Sequence, residues 1–238
     1  MKISFLITLL LYLSSVPAHA DVTDGLIGWW KYDESSGNAV DSSGQGNTGT
    51  PTGTTIVSGC KRYGCRSFDG TADKIEAAIT WTPTRFTVSF WLYPLGVANY
   101  DHQIVGGGWG TFVFHTTSLG KIYCGTEITL RFVEADFAAN TVAINTWQQF
   151  VYTYDGTSGR LYKDGVLLVG PKVQTTSVAW AYFSVGVGNT NTINGRADDV
   201  RVYNRALSQN EISAIYEVGR PRITVKGSAR IGKFKLNP

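Results

Sequence analysis

A two-residue rhythm of apolar side chains constrains this chain more than any other feature. In Arg85-Phe86-Thr87-Val88-Ser89-Phe90-Trp91-Leu92-Tyr93, the residues Phe86, Val88, Phe90 and Leu92 share one face, and Thr87, Ser89, Trp91 and Tyr93 share the other. Period two is the signature of a β-strand, whose successive side chains point to opposite sides. The segment 147–155 repeats it, with Phe150, Tyr152 and Tyr154 against Gln149, Val151 and Thr153. Asp164-Gly165, set between Leu161-Tyr162 and Val166-Leu167, marks a tight hairpin. Further strands are expected at 26–32, 75–79, 111–115, 128–134, 182–188 and 197–203, about nine or ten in all. Several carry apolar or aromatic residues on both faces, which suits two stacked antiparallel sheets better than one sheet with a wet side. With 27 Gly, 13% aromatic residues and a single Met, the composition supports an all-β sandwich.

One helix is expected at the end of the domain. Ser208 is placed to cap it, Glu211 completes a capping box, and Leu207 and Ile212 occupy the flanking apolar positions. Ile212, Ile215 and Tyr216 would face the sandwich, and Gly219 would end the helix.

The two ends differ from this body. Residues 1–20 read as a signal peptide: Lys2, an apolar run to Leu13, then Pro17 ahead of Ala18-His19-Ala20. The run is shorter than the roughly 20 residues that span a bilayer. Residues 21–219 form the expected domain, with 18 acidic against 14 basic side chains, a net charge of −4. Residues 220–238 add Arg220, Arg222, Lys226, Arg230, Lys233 and Lys235 with no acid. The overall charge of +3 is thus an effect of the tail, which reads as a solvated terminus or as an attachment to an anionic glycan, membrane or partner, and not as evidence of a nucleic-acid-binding domain. Export permits a disulfide among Cys60, Cys65 and Cys124. Cys60 and Cys65 are close enough to close a small loop, although spacing alone leaves the pairing open.

Six blocks then carry a family resemblance: Gly25-Leu26-Ile27-Gly28-Trp29-Trp30-Lys31-Tyr32-Asp33-Glu34 with Asp41-Ser42-Ser43-Gly44-Gln45-Gly46-Asn47; Phe68-Asp69-Gly70; Phe86-Thr87-Val88-Ser89-Phe90-Trp91; Trp147-Gln148-Gln149-Phe150 with Tyr154-Asp155-Gly156; Leu161-Tyr162-Lys163-Asp164-Gly165; and Asp198-Asp199-Val200-Arg201-Val202-Tyr203-Asn204-Arg205-Ala206-Leu207-Ser208. Together they resemble the bacterial laminin-G-like domains of the concanavalin A-like lectin/glucanase superfamily. The resemblance implies a jelly-roll sandwich that is exported, binds carbohydrate or protein, and often carries a structural calcium ion. It names a scaffold, so function rests on sites.

For calcium, Asp33, Asp41 and Asn47 of the opening segment would meet Asp198 of the last strand, because the resemblance brings those segments together and calcium takes six to eight oxygens. Asp198 is preferred over Asp199 because it shares the parity of Val200 and Val202, unless a bulge intervenes. The alternative is that these carboxylates hold turns. For ligand binding, Trp109, Trp81 and Trp180 are expected at strand ends or loops, and Asn191 belongs to a polar loop.

Catalytic signatures are weak. The related endoglucanases use a Glu-x-Asp-x-x-Glu strand, whereas Glu134-Ala135-Asp136-Phe137-Ala138-Ala139 lacks the third carboxylate. His102 and His115 sit in no hydrolase motif, and Gly106-Gly107-Gly108-Trp109-Gly110 has no Lys-Ser/Thr to follow it. The expected function is a secreted non-catalytic module that binds carbohydrate or a cell-surface protein. The alternatives are a glycosidase or lyase on the same scaffold, with Glu127 and Glu134 as candidate acids, and a structural subunit docked through its basic tail.

Overall fold

The computed structural model describes residues 21–61, 63–96, 102–107, 112–116, 122–124, 141–173, 179–186 and 193–219. Residues 1–20, expected to be a signal peptide, residues 220–238, the strand expected at 128–134 and the residues Trp109, Glu127, Glu134, Asp136 and Asn191 lie outside them.

Among the described residues, fourteen strands and one helix follow in chain order: β1 Leu26–Trp30, β2 Gly49–Thr52, β3 Thr55–Val57, β4 Cys65–Asp69, β5 Lys74–Ala77, β6 Phe86–Pro94, β7 His102–Gly106, β8 Phe112–Thr116, β9 Ile122–Cys124, β10 Gln148–Tyr154, β11 Ser158–Lys163, β12 Val166–Val173, β13 Phe183–Val185, β14 Asn194–Tyr203 and α1 Gln209–Gly219. They build two antiparallel sheets. The larger runs β12-β11-β10-β6-β14-β4-β3, with β1 also paired to β14, and the smaller runs β2-β5-β13-β7-β8-β9. The expected sandwich is present, with more strands than periodicity indicates. The unexpected ones are mostly three or four residues long, too short to show a period. Gly49-Thr50-Pro51-Thr52 looks like a turn, yet it forms an edge strand, where a proline need not donate to a ladder.

The two layers meet over a shared aromatic interior. Phe86, Val88, Phe90 and Leu92 of β6, Phe150, Tyr152 and Tyr154 of β10, and Ala197, Val200 and Val202 of β14 face Ile75, Ala77, Val105, Phe183 and Val185 of the smaller sheet. Trp30 stacks on Phe183 with centroids 5.1 Å apart, joining β1 to β13 across the gap. Phe86 lies within 5.3–6.4 Å of the rings of Trp81, Tyr152, Tyr154 and Trp180.

Local signals close the structure as expected. The β11–β12 turn has φ of 51° at Asp164 and 80° at Gly165, the double positive φ that an Asp-Gly hairpin supplies. Ser208 and Glu211 exchange capping bonds of 2.7 and 3.4 Å at the start of α1. Ile212 and Ile215 of α1 are buried with Leu26, Val151, Tyr162, Tyr203 and Leu207 in a second, smaller core on the outward face of the larger sheet. Cys60 and Cys65 form the disulfide, and Cys124 is buried in the interior.

Phe86→Ala removes a ring that four others contact. It should lower unfolding free energy by about 3–5 kcal/mol in urea denaturation. A loss below about 1 kcal/mol would show that this aromatic group is not what holds the layers together.

Candidate functional site

The chemistry-bearing residues converge on β14, and a bulge decides where they point. Asp198 pairs with Trp91 of β6 and Arg201 with Ser89, so two β14 residues, Asp199 and Val200, stand opposite Phe90 alone. Asp199 takes φ of 47° to make the bulge. Val200 and Val202 therefore enter the interior while Asp198 shares the outward face with Trp91, which corrects the expected common parity of Asp198, Val200 and Val202. Asp199 accepts hydrogen bonds from Trp29 Nε1 at 2.6 Å and from Arg201 at 2.9 and 3.1 Å, a buried ion pair that ties β1 to β14. Asp198 is 2% exposed and its Oδ2 has no hydrogen-bond partner. Burial, followed by the nearby charges of Asp199 and Asp33, pushes its carboxyl up to about 8.

The expected calcium ligands are committed elsewhere. Asp41 Oδ1 accepts from the amides of Trp29 and Ser43, and its Oδ2 accepts from Ser43 Oγ and the Asn47 amide. Burial raises the Asp41 carboxyl, but these donors outweigh it and hold the group below the ordinary carboxylate range. Asn47 Nδ2 donates to the Ile27 carbonyl at 2.6 Å, and Asp33 Oδ1 accepts from the Gly64 amide at 3.2 Å. Among the described residues, no three Asp, Glu, His or Cys side chains gather into a group that could hold a metal. As one calcium site, the set of Asp33, Asp41, Asn47 and Asp198 does not fit: Asp41 and Asn47 close a turn instead.

The tryptophans divide in the same way. Trp180 is 2% exposed and packs edge-on against Trp81 at 5.4 Å and Phe86 at 5.3 Å. A Cβ on Gly107 would stand 2.2 Å from its ring, so the indole has no open face there. Trp81 exchanges backbone hydrogen bonds with Trp180 and packs on the same interior. Neither offers the free indole expected of a loop ligand site, because the bridge between them turns both rings inward.

What periodicity misses is the outward face of β6, β10 and β14. Gln149, Trp91 and Asp198 stand opposite one another as one cross-strand row. In the next row Arg196 stands opposite Tyr93, with its guanidinium 5.6 Å from that ring, and Trp147 lies 5.5 Å from Tyr93 on the other side. Tyr93, Trp147 and Arg196 are half-buried. Trp91 is held between Tyr216 of α1 at 5.5 Å and the Lys61 ammonium at 3.9 Å. Trp91 Nε1, Gln149 Oε1, Asp198 Oδ2 and Arg196 Nε are buried without hydrogen-bond partners. The alternation in β6 placed Trp91 and Tyr93 on a single face, but nothing local showed that Gln149, Arg196 and Asp198 would join them.

Asp198 and Asp199 invite comparison with a glycosidase pair. Both oxygens of Asp199 are occupied by Trp29 and Arg201, so only Asp198 of the two keeps an oxygen without a partner.

A family model described as the concanavalin A-like lectin/glucanases superfamily matches residues 68–213. No curated protein matches the chain. Among solved structures, it is similar to domain 4 of AbnA, a GH43 extracellular arabinanase from Geobacillus stearothermophilus in complex with arabinotriose. That match has a TM-score of 0.64 at 18% identity and covers 80% of this chain and 98% of that one. The binding domain of Paraclostridial Mosquitocidal Protein 1 matches with a TM-score of 0.65 at 15% identity, covering 83% and 53%. Trypanosoma rangeli sialidase matches with a TM-score of 0.62 at 15% identity, covering 81% of this chain but 32% of the enzyme. At these identities the likeness is one of fold.

The Asp198 carboxyl supplies a pH test. Its folded value of about 8 lies above its ordinary value of 3.8, so the native state holds a proton that the unfolded chain releases. Its contribution to stability is complete below about pH 4 and is lost as pH rises through about 8. In urea denaturation from pH 5 to 9, Asp198→Asn should lessen the decline and leave the variant the more stable protein at the alkaline end. Loss of stability at every pH, together with a chelator-sensitive wild type, would instead mean that a cation sits on the open Asp198 oxygen.

Proposed function

Because the chain belongs to the concanavalin A-like lectin/glucanases superfamily, we propose that it is a secreted, non-catalytic binding module whose ligand is a carbohydrate. The observation that carries this reading is the scale of the structural matches. The chain corresponds to 98% of an arabinanase domain that holds arabinotriose, but to only about a third of the sialidase. An exported module of this size supplies recognition, and catalysis on the same scaffold requires two carboxyls reachable from one groove. Among the described residues, Asp199 beside Asp198 is committed to Trp29 and Arg201, which leaves no second free carboxyl next to Asp198.

Export is supported by the leader-like residues 1–20 and by the Cys60–Cys65 disulfide, which persists in oxidising compartments. No helix among the described residues is long and apolar enough to cross a membrane. The basic tail 220–238 gives the module a second contact, with an anionic surface or partner.

Affinity electrophoresis through gels cast with neutral polysaccharides checks the reading. At least one polysaccharide should retard the protein, while prolonged incubation releases no new reducing ends. Sustained turnover abolished by Glu127→Gln or Glu134→Gln would replace the binding module with an enzyme.

A further inference from the structure

We propose that the outward face of β6, β10 and β14, between the disulfide loop and the end of α1, is a saccharide site. There Trp147, backed by Tyr93, stacks on a sugar ring while Arg196, Trp91, Gln149 and Asp198 bond its hydroxyls. The proposal deepens the carbohydrate-binding reading and rests on it.

The register builds the site. Opposed residues on one face of an antiparallel pair stand about 5 Å apart, and successive rows on that face are about 7 Å apart. Three strands and two rows therefore present a patch roughly 10 Å by 7 Å, the footprint of one or two sugar rings. Its half-buried edge is aromatic, through Tyr93 and Trp147, and apolar ring faces suit the C–H face of a sugar. Behind it lie two unpartnered donors, Trp91 Nε1 and Arg196 Nε, and two unpartnered acceptors, Gln149 Oε1 and Asp198 Oδ2.

Chemistry selects the ligand class. A buried polar atom without a partner lowers stability, and four of them on two adjacent rows call for a ligand that satisfies both kinds at once. A sugar hydroxyl does so, since it donates one hydrogen bond and accepts others. An anion only accepts and would leave Gln149 Oε1 without a donor, a cation would meet Arg196, and an apolar peptide would leave all four atoms unsatisfied. Lys61 covers Trp91 from the disulfide loop, so the sugar stacks first on the outer row. With Tyr216 stacked on the indole from α1, the inner row opens on the disulfide-loop side when the lysine side chain swings off it.

The test titrates the full chain with arabinotriose, xylotriose, cellotriose and maltotriose, following tryptophan fluorescence and the indole N–H resonances by NMR. At least one trisaccharide should bind and shift the Trp91 indole N–H. Trp147→Ala and Arg196→Met should each weaken that binding roughly tenfold or more, with melting temperatures close to wild type. Both positions are half-buried, so the variants should fold, and Trp147→Phe should recover most of the affinity. Binding that neither Ala nor Met substitution weakens overturns this site and leaves the carbohydrate reading standing. Binding to none of the four overturns the site whatever the polysaccharide gels show, and unretarded gels then overturn the carbohydrate reading as well.

Discussion

β14 is the strand on which the rest of the molecule depends, and one extra residue within it sets what each of its faces does. It lies in the middle of the larger sheet, pairing with β6, β4 and β1. Before the bulge, Ala197 faces the interior. After it, Val200 and Val202 do, and the residue gained at Asp199 lets Asp198 and Arg201 both stand outside. A regular strand would have driven either an aspartate or a valine into the wrong environment, because period two admits no other choice. The left-handed conformation of Asp199 is the local strain that this arrangement requires, and the bonds from Trp29 and Arg201 offset it.

The two faces of the larger sheet consequently obey different physics. Inward, aromatic rings from both layers pack as a continuous apolar body, which supplies the cohesion of the domain. Outward, the sheet is covered in pieces. Helix α1 seals one end with Ile212 and Ile215, and the disulfide-closed loop lays Lys61 over Trp91 at the other. Polar atoms are left without partners between those covers, on Trp91, Gln149, Asp198 and Arg196. Burying such groups lowers stability unless something pairs with them, so an unsatisfied cluster on an otherwise well-packed sheet calls for a partner, which is the role of the proposed saccharide.

Much of the fold was readable residue by residue. The alternation in β6 and β10, the Asp164-Gly165 turn and the Ser208–Glu211 cap each encode their structure within ten residues, and each formed as expected. Strands such as β2 and β3 were not readable, because three or four residues carry no period and their identity comes from the neighbours they pair with. The site was less legible still. Trp180 looks like a loop tryptophan until its bridge to Trp81 turns it inward, and Asp41 looks like a metal ligand until its own turn consumes both oxygens.

The amino-acid sequence on its own thus determined the class of architecture, the hairpin and the terminal helix, since these follow from periodicities and caps that span only a few neighbouring positions; the family came from a resemblance carried by six blocks spread along the chain. The tertiary structure decided the pairing of Gln149, Trp91 and Asp198 into one row, the placing of Arg196 beside Tyr93 and Trp147, and the covering of that row by Lys61 and Tyr216. These residues are separated by tens of positions along the chain. Only strand register, shifted by the bulge at Asp199, makes them neighbours.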